Sequence, residues 1–451
     1  MSARLIESLA TTEPLARLFS DESVLERMLD FEVALARAEA TVGIVPKAAA
    51  DAIGSAAKAK DFGAAALARE TLRAGTPGIP LAKALAARVR EANRDAARFV
   101  HWGATSQDVA DTALILVLKH AQPVLAADLG RLDLALRRLS DKHARTPMLG
   151  RTLLQPAPPV TFGLKAAGWL AAIRRCRARL EAAFSDALVL QLGGSSGTLA
   201  ALGESGLEVG RRMAEDLGIG LPDGLWHAHR DRLGALVVAC GVLTASLGKM
   251  ARDVSLLMQS EVAEAAEPGD EGRGGSSTMP QKRNPIASAV TLAAANRLPG
   301  LVASFLSGMV QEHERSVGGW QAEWPTVAGV IQSTGVAIAS MAEAAEGLDV
   351  NPKRMLANID ATRGAVFAEK AAMLLRAKLG RDAAEKIVKQ AARKSAKQGR
   401  RLAEVLATIP RAKKVLNQKA LAELEVPGKY LGAAEEIRKR LLRRSGTREK
   451  A

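Results

Sequence analysis

The sequence predicts an all-α protein built on long helices, and three observations carry that expectation. Apolar residues make up 48% of the 451, mostly Ala, Leu and Val, while aromatic residues are only 3%. That composition excludes wholesale disorder and favours packed helices over sheets. Apolar positions also recur in alternating three- and four-residue steps, at Leu129, Leu132, Leu136 and Leu139 and again at Leu236, Cys240, Leu243, Leu247, Met250, Val254 and Leu257. Such seams mark long helices packed at shallow angles. Finally, no run alternates convincingly enough to be read as a strand.

Along the chain, Pro and Gly clusters interrupt the helical pattern at 73–80 (RAGTPGIP), 147–159 (PMLGRTLLQPAPP), 190–197 (LQLGGSSG), 218–224 (GIGLPDG) and 267–277 (EPGDEGRGGSS). The length suggests two or three domains. We divide the chain into an N-terminal helical part, 1–110, a central bundle, 111–345, and a C-terminal cap, 346–451, whose start is marked by Pro352. At ~1.5 Å per residue, 231–264 is predicted as one rod of roughly 50 Å. A rod of that length needs apolar faces covered by other subunits, so an oligomer is expected.

Lys+Arg 63 against Asp+Glu 48 leaves a formal charge of +15. That balance suits nucleic acid, an anionic surface or an acidic small substrate. Much of it lies in 389–401 (KQAARKSAKQGRR) and 438–450 (RKRLLRRSGTREK), read as solvated helix faces and a frayed tail. Neither stretch interleaves aromatics or carries a groove-reading motif, so no nucleic-acid partner is expected. The first residues lack the pattern of a leader peptide, and no stretch approaches the ~18 apolar residues of a membrane span. A soluble cytoplasmic protein with no membrane partner is expected. Cys176 and Cys240 read as buried thiols in a reducing compartment. The six histidines (101, 120, 143, 227, 229 and 313) form no metal-ligand spacing. There is no P-loop and no serine-hydrolase elbow, and no metal or other cofactor is expected.

Three polar clusters remain. In HWGATSQD, His101 to Asp108, Gly103 permits close backbone approach. Thr105 and Ser106 offer hydroxyls and helix-start N–H groups that suit a carboxylate, or an ordinary capping box closed by Asp108. In GRTLLQPAPP, Arg151, Thr152 and Gln155 are donors set among prolines. In GGSSTMPQKRNP, 274–285, approached through Gly269 and Gly272, Gly274 and Gly275 precede a stretch stiffened by Pro280 and Pro285, and Lys282 and Asn284 are spaced to neutralise and orient one carboxylate. Ser276 is a poor base at an ordinary hydroxyl pKa, but N–H groups and a nearby cation would stabilise its alkoxide.

These three stretches resemble, in order and spacing, the shared regions of the fumarase/aspartase superfamily, whose signature reads G-S-S-x-M-P-x-K-x-N-P. The resemblance runs over essentially the whole chain. It implies a homotetramer with a twenty-helix core and active sites assembled from three subunits. It implies Ser276 as the base, with Ser277 and backbone amides supporting a carbanion; if the base lies elsewhere, Ser277 and His101 are the next candidates. Lys282 and Asn284 would hold a substrate carboxylate, with Thr105, Ser106, Thr152 and Gln155 completing the cradle.

Departures narrow the choice within the superfamily. Adenylosuccinate-type C–N lyases carry a histidine acid where this chain has Leu153, and a His-Asp pair where it has Thr76 and Pro77. AGTPGIPLAKAL, FVHWGATSQD, WHAHRDRL and QEHERSVGGWQAEW are instead similar to a cycloisomerase branch that closes a tricarboxylate diene into a lactone. Related cycloisomerases can have His where this chain has Pro156. A carboxylate with a solution pKa of roughly 4 can leave unprotonated, whereas an amine usually needs an acid. A small tricarboxylate is the expected partner, and it suits the cations Arg230, Arg232, Lys282, Arg283 and Arg315. The alternatives are a C–N lyase and a cycloisomerase for a sulfonated diene. Trp102, Trp226, Trp320 and Trp324 fall in or beside these motifs, where they either line the site or pack at subunit contacts.

Overall fold

The computed structural model describes residues 5–269, 279 and 282–443. It is all-α apart from short strands, with long helices Ser106–Lys142, Phe162–Ala187, Asp231–Leu257, Ile286–Gly308 and Gly319–Glu346. The seam residues Leu129, Leu132 and Leu136 are buried, as are Leu236, Cys240, Leu243, Leu247 and Val254. Both cysteines are free and buried, and burial pushes the Cys240 thiol up to about 12.

Contacts gather the chain into two compact units, one of Met1–Leu129, Cys176–Gly248 and Val290–Ala339, the other of Gly130–Arg175, Lys249–Ala289 and Ser340–Ala451. In the first unit, glycines let two helices approach closely. Gly234, Gly241 and Gly248 recur every seven residues on helix Asp231–Leu257. A Cβ on each would sit 2.9 Å from Met309 Sδ, 3.1 Å from Val302 Cγ2 and 2.7 Å from Ala295 Cβ. The partner positions descend by seven as the glycines ascend, so this is an antiparallel heptad seam. Each glycine costs about 1 kcal/mol of helix propensity against alanine, and close packing offsets it. In the second unit, helices Ala368–Leu379, Arg381–Gln398 and Leu402–Thr408 enclose Leu375, Ala391, Leu402 and Leu406.

Four expectations need correction. Helix Asp231–Leu257 has 27 residues, roughly 40 Å, and does not continue to 264. Ala263 adopts a φ of 50°, and Ala265–Ala266 then pairs with Asp349–Val350 as a short antiparallel strand. The second difference is a hairpin, Pro147–Thr152 with Gln155–Thr161, bulged between Leu149 and Gly150. Its second strand holds Pro156, Pro158 and Pro159, a composition that hides a strand. Prolines are tolerated there because a two-stranded hairpin has edges with no ladder to interrupt. Its two-residue turn puts Leu153 and Leu154 at φ 51° and 64°, where Asn or Gly is usual. Third, four helices (Ser106–Lys142, Asp231–Leu257, Ile286–Gly308 and Gly319–Glu346) are long and apolar enough by length and composition to cross a membrane. Within the chain, 56%, 61%, 28% and 67% of their apolar windows are buried. The basic run starting at Arg438 is also not wholly frayed: Arg438 lies on helix Ala434–Leu442, buried, donating to Asp141 at 2.7 Å.

In the first unit, helix Asp21–Thr41 packs against Lys47–Ala56 and Gly206–Leu217 around Leu29, Phe31, Leu35 and Met213. That apolar cluster surrounds two carboxyl groups, Glu32 and Glu39, at 1% and 0% exposure. Neither Glu39 oxygen has a hydrogen-bond partner among the described residues. Burial, and then the charge of Glu32, push the Glu39 carboxyl from 4.5 to about 9. Such an acid binds its proton more tightly when folded. Its contribution to stability is complete below the unfolded pKa and is lost as pH rises through the folded one. Between about 4.5 and about 9, Glu39 therefore makes the protein less stable as pH rises. Glu39→Gln removes the titration without changing shape. Its thermal midpoint is expected to match wild type at pH 5 and exceed it at pH 8.5. Parallel pH dependences in the two proteins would contradict this account.

Candidate active site

The first polar cluster becomes a tightly specified corner. His101 and Gly103 take φ values of 59° and 69°, which turn the chain sharply into helix Ser106–Lys142. A Cβ at Gly103 would stand 2.6 Å from Leu202 Cδ2, so only glycine fits. Thr105 precedes the helix, and Asp108 makes one half of a capping box by accepting the Thr105 N–H at 3.0 Å, while the Thr105 hydroxyl accepts from Arg315. Asp108 does more. Fully buried, it also accepts from Gly193 N at 2.9 Å, Gly194 N at 2.9 Å and His227 Nε2 at 2.6 Å. Four N–H donors from three chain segments thus converge on one carboxylate. Gly193 has no room for a side chain because His227 Cε1 lies 2.7 Å from where its Cβ would be.

One turn along the same helix, Asp111 anchors a second network. Arg230 Nη1 and Nη2 donate to it at 2.7 and 3.0 Å, and Arg230 Nε and Nη2 reach Glu323 at 2.9 and 2.6 Å. Trp320 Nε1 donates to Asp111 at 2.9 Å, Gln191 at 3.2 Å and Gln107 at 3.2 Å, while Gln311 donates to Glu323 at 3.0 Å. Trp226 stacks under the guanidinium, 4.6 Å from it. Burial works against the charge on Arg230, but Asp111 and Glu323 overcome it and hold its pKa above the ordinary arginine value. Burial also lifts the Glu323 carboxyl above the usual range, with Arg230 only partly offsetting the rise. Arg230 was expected at a substrate carboxylate. Its donors point inward instead, and it is 1% exposed. Arg232 is drawn to Asp186 at 3.5 Å.

Arg315 is different. Its Nη1 donates to Thr105 Oγ1 at 2.8 Å, and its Nη2 to the carbonyls of Ser195 at 3.1 Å and Gly194 at 3.3 Å. Its Nε is buried without a partner, and among the described residues no carboxylate pairs with it. The structure therefore holds a guanidinium by neutral oxygens beside Thr105 and leaves its charge uncompensated. His101 Nδ1 bonds Glu32 at 2.7 Å. Burial opposes the imidazolium, but the charge and hydrogen bond of Glu32, with the charge of Asp108, outweigh it and raise the His101 pKa above its ordinary value. Ser106 opens the helix, and Gly78 packs against its backbone, where a Cβ would meet Ser106 Cα at 2.8 Å.

The other two clusters lie in the second unit. Thr152 and Gln155 face each other at the exposed end of the hairpin, and Leu153 between them is 96% exposed. Arg151 is bidentate to buried Glu264 at 2.8 and 2.9 Å, and Asn358 adds a bond to Glu264 at 2.8 Å. Lys282 is exposed and Asn284 half-buried just before helix Ile286–Gly308. Glu267 caps that helix, accepting from Ala287 N, Ser288 N and Ser288 Oγ at 2.8, 2.8 and 2.6 Å. Arg283 donates back to the Glu267 carbonyl at 3.0 Å. Ser276 and Ser277 lie outside the described residues. Among the described residues, no hydrogen bond or ion pair joins Thr152 or Gln155 to Lys282 or Asn284. Asp111, Glu323, His227, Glu32 and Glu267 escape the sequence reading. Only Asp111 leaves a local signal, three residues past Asp108 on one helix face.

A family model described as Lyase matches residues 8–300, and one described as Adenylosuccinate lyase C-terminus matches 364–441. The 3-carboxy-cis,cis-muconate cycloisomerase of Bradyrhizobium diazoefficiens is 48% identical over 422 residues, covering 94% of each chain. The enzyme of the same name from Pseudomonas aeruginosa is 46% identical over 96% of this chain and 94% of its own. Among solved structures, the 3-carboxy-cis,cis-muconate lactonizing enzyme of Pseudomonas putida superposes with a TM-score of 0.92 at 43% identity, covering 97% of this chain and 98% of that one.

Arg230→Met is expected to destabilise the fold by about 3–5 kcal/mol, because it strands Asp111 and Glu323 in a dry interior. Chemical denaturation at fixed protein concentration measures this. A loss below about 1 kcal/mol, the worth of a surface pair, would contradict it.

Proposed function

The chain belongs to the fumarase/aspartase superfamily of lyases, and we propose that within it the chain acts as a 3-carboxy-cis,cis-muconate cycloisomerase, forming 4-carboxymuconolactone in protocatechuate breakdown. The observation that carries this reading is Arg315, a cation fixed on Thr105 with no carboxylate of its own among the described residues. A trianionic substrate supplies the missing charge.

In this mechanism one substrate carboxylate adds its oxygen to the neighbouring double bond. The π electrons move to the carbon beside a second carboxylate, giving an enolate-like carbanion. The Ser276 hydroxyl then gives that carbon a proton, and in the reverse direction its alkoxide takes the proton away. Ser277 and backbone amides steady the carbanion, while Lys282 and Asn284 hold the carboxylate on which charge develops. Thr105, Ser106, Arg315, Thr152 and Gln155 receive the other carboxylates. Arg230 supports this cradle from behind through Asp111 and Trp320, and does not touch substrate.

The C-terminal match to adenylosuccinate lyases raises a C–N lyase as a second reading. That chemistry needs a proton donor for the amine, and the positions that would carry one hold Leu153 and Thr76. Leaving as a carboxylate, with a pKa of roughly 4, the lactone oxygen needs none. We further propose a cytoplasmic homotetramer whose sites take the three polar clusters from different subunits, with 111–345 supplying the subunit contacts. Helix Ile286–Gly308 supports this, since only 28% of its apolar window is buried within the chain.

Mixing purified protein with 3-carboxymuconate is expected to abolish the ultraviolet absorbance of the diene. No loss there, with fumarate released from adenylosuccinate instead, would overturn the assignment. Ser276→Ala should slow turnover by about 10² to 10⁴ while leaving the oligomer intact. A change of only a few-fold would move the proton carrier elsewhere. Leu153→His should not accelerate lactone formation and should not create adenylosuccinate cleavage. A clear gain in muconate turnover would show that an acid had been limiting.

A further inference from the structure

The pair formed by His101 and Glu32 has no place in the mechanism above, and three features give it one. First, Glu32 is a carboxylate at 1% exposure on helix Asp21–Thr41, with apolar Leu29, Phe31 and Leu35 around it on the same helix. Burying such a group is costly unless it meets a counter-charge. Its Oε1 meets His101 Nδ1 at 2.7 Å, and its Oε2 has no hydrogen-bond partner. Second, His101 makes this contact from a left-handed φ of 59°, a region few non-glycine residues use, at the sharp turn that leads into helix Ser106–Lys142. Third, the other imidazole nitrogen, Nε2, makes no hydrogen bond among the described residues. It stands four residues before Thr105, whose hydroxyl holds Arg315 at 2.8 Å.

We propose that Glu32 is a positioning residue for His101, fixing Nδ1 inward and keeping the ring cationic so that it joins Arg315 in binding the trianionic substrate. This rests on the cycloisomerase reading for the identity of the substrate, but the pairing itself does not. Two charged groups act on His101: Glu32 from helix Asp21–Thr41 and Asp108 from helix Ser106–Lys142. Asp108 is already saturated by Thr105, Gly193, Gly194 and His227, so Glu32 is the direct partner. Glu39, two turns further along the helix, adds no competing negative charge at neutral pH, because burial holds its carboxyl protonated up to about 9. The cradle thus has a permanent cation, Arg315, and a titrating one, His101. A merely structural pair would serve equally well with a neutral ring.

Glu32→Gln tests this, because the amide oxygen can still accept from Nδ1 but carries no charge. His101 ring titration is read by NMR on ¹⁵N-histidine-labelled protein, with the resonance assigned by its loss in His101→Gln. The ring is expected to titrate above ~6.5 in the wild type and at least about one pH unit lower in Glu32→Gln. With 3-carboxymuconate as substrate, kcat/KM is expected to fall as pH rises through the wild-type value. In Glu32→Gln that limb should move to lower pH, with KM raised more than kcat is lowered, and in His101→Gln it should be absent. An unchanged ring titration in Glu32→Gln would overturn the pairing, whatever the substrate. A shifted titration with an unchanged kcat/KM limb would overturn the binding role. Failure of the wild type to turn over 3-carboxymuconate would count against the cycloisomerase reading alone, since the titration arm needs no substrate.

Discussion

The four hydrogen bonds converging on Asp108 are the interaction on which the polar corner around Thr105 and Arg315 depends. A carboxylate sealed from water is costly unless its lone pairs are filled, and here each oxygen takes two N–H donors. The donors come from the helix-start turn, the 193–194 turn and the segment carrying His227. Satisfying Asp108 therefore fixes three otherwise independent loops at once. Two of those loops supply the oxygens that hold Arg315, through the Thr105 hydroxyl and the carbonyls of Gly194 and Ser195. The glycines follow from the same convergence. A side chain at 193 would collide with the ring of His227, and one at 194 would meet the Gly103 carbonyl at 2.9 Å.

The disposition of charge separates supporting arginines from the one left open. Arg230, Arg151 and Arg232 are each matched by carboxylates, two of them by bidentate contacts of 3.0 Å or less. Such pairs fix geometry more than they add stability. Arg315 has no carboxylate partner among the described residues, and its neutral partners orient it without cancelling its charge. A site for a trianion needs that distinction, because a guanidinium already neutralised would have to break a buried pair before binding. On the proposed mechanism it also accounts for Leu153 standing where C–N lyases carry an acid. Charge stabilisation serves a carboxylate leaving group directly, where an amine would also require a proton.

Much of this is legible in the sequence because it is local. Helical seams repeat every seven residues, the Thr105–Asp108 spacing announces a capping box, and Lys282 and Asn284 stand in a signature. What escapes is non-local. Asp111, Arg230 and Glu323 are separated by more than 90 residues each and look like ordinary surface charges until three segments meet. Glu32 and Glu39 sit on a helix whose apolar face they interrupt, and nothing nearby marks them as buried. The hairpin is hidden because its second strand is written largely in prolines. The end of the helix at Leu257 is hidden because residues 258–264 remain compatible with one; in the fold Ala263 takes a φ of 50° and the Glu264 carboxylate is claimed by Arg151 and Asn358.

The dependence of Arg315 on Asp108 is tested most directly by a double-mutant cycle on kcat/KM for 3-carboxymuconate, using Asp108→Asn, Arg315→Ala and the two combined. If Asp108 acts by setting Thr105 and Gly194 around Arg315, most of the loss from Asp108→Asn disappears once the guanidinium is gone. The double variant would then be little worse than Arg315→Ala alone, with a coupling of about 1–3 kcal/mol. Losses that simply add would show that the two residues act independently, and that the converging hydrogen bonds support the fold without serving the site.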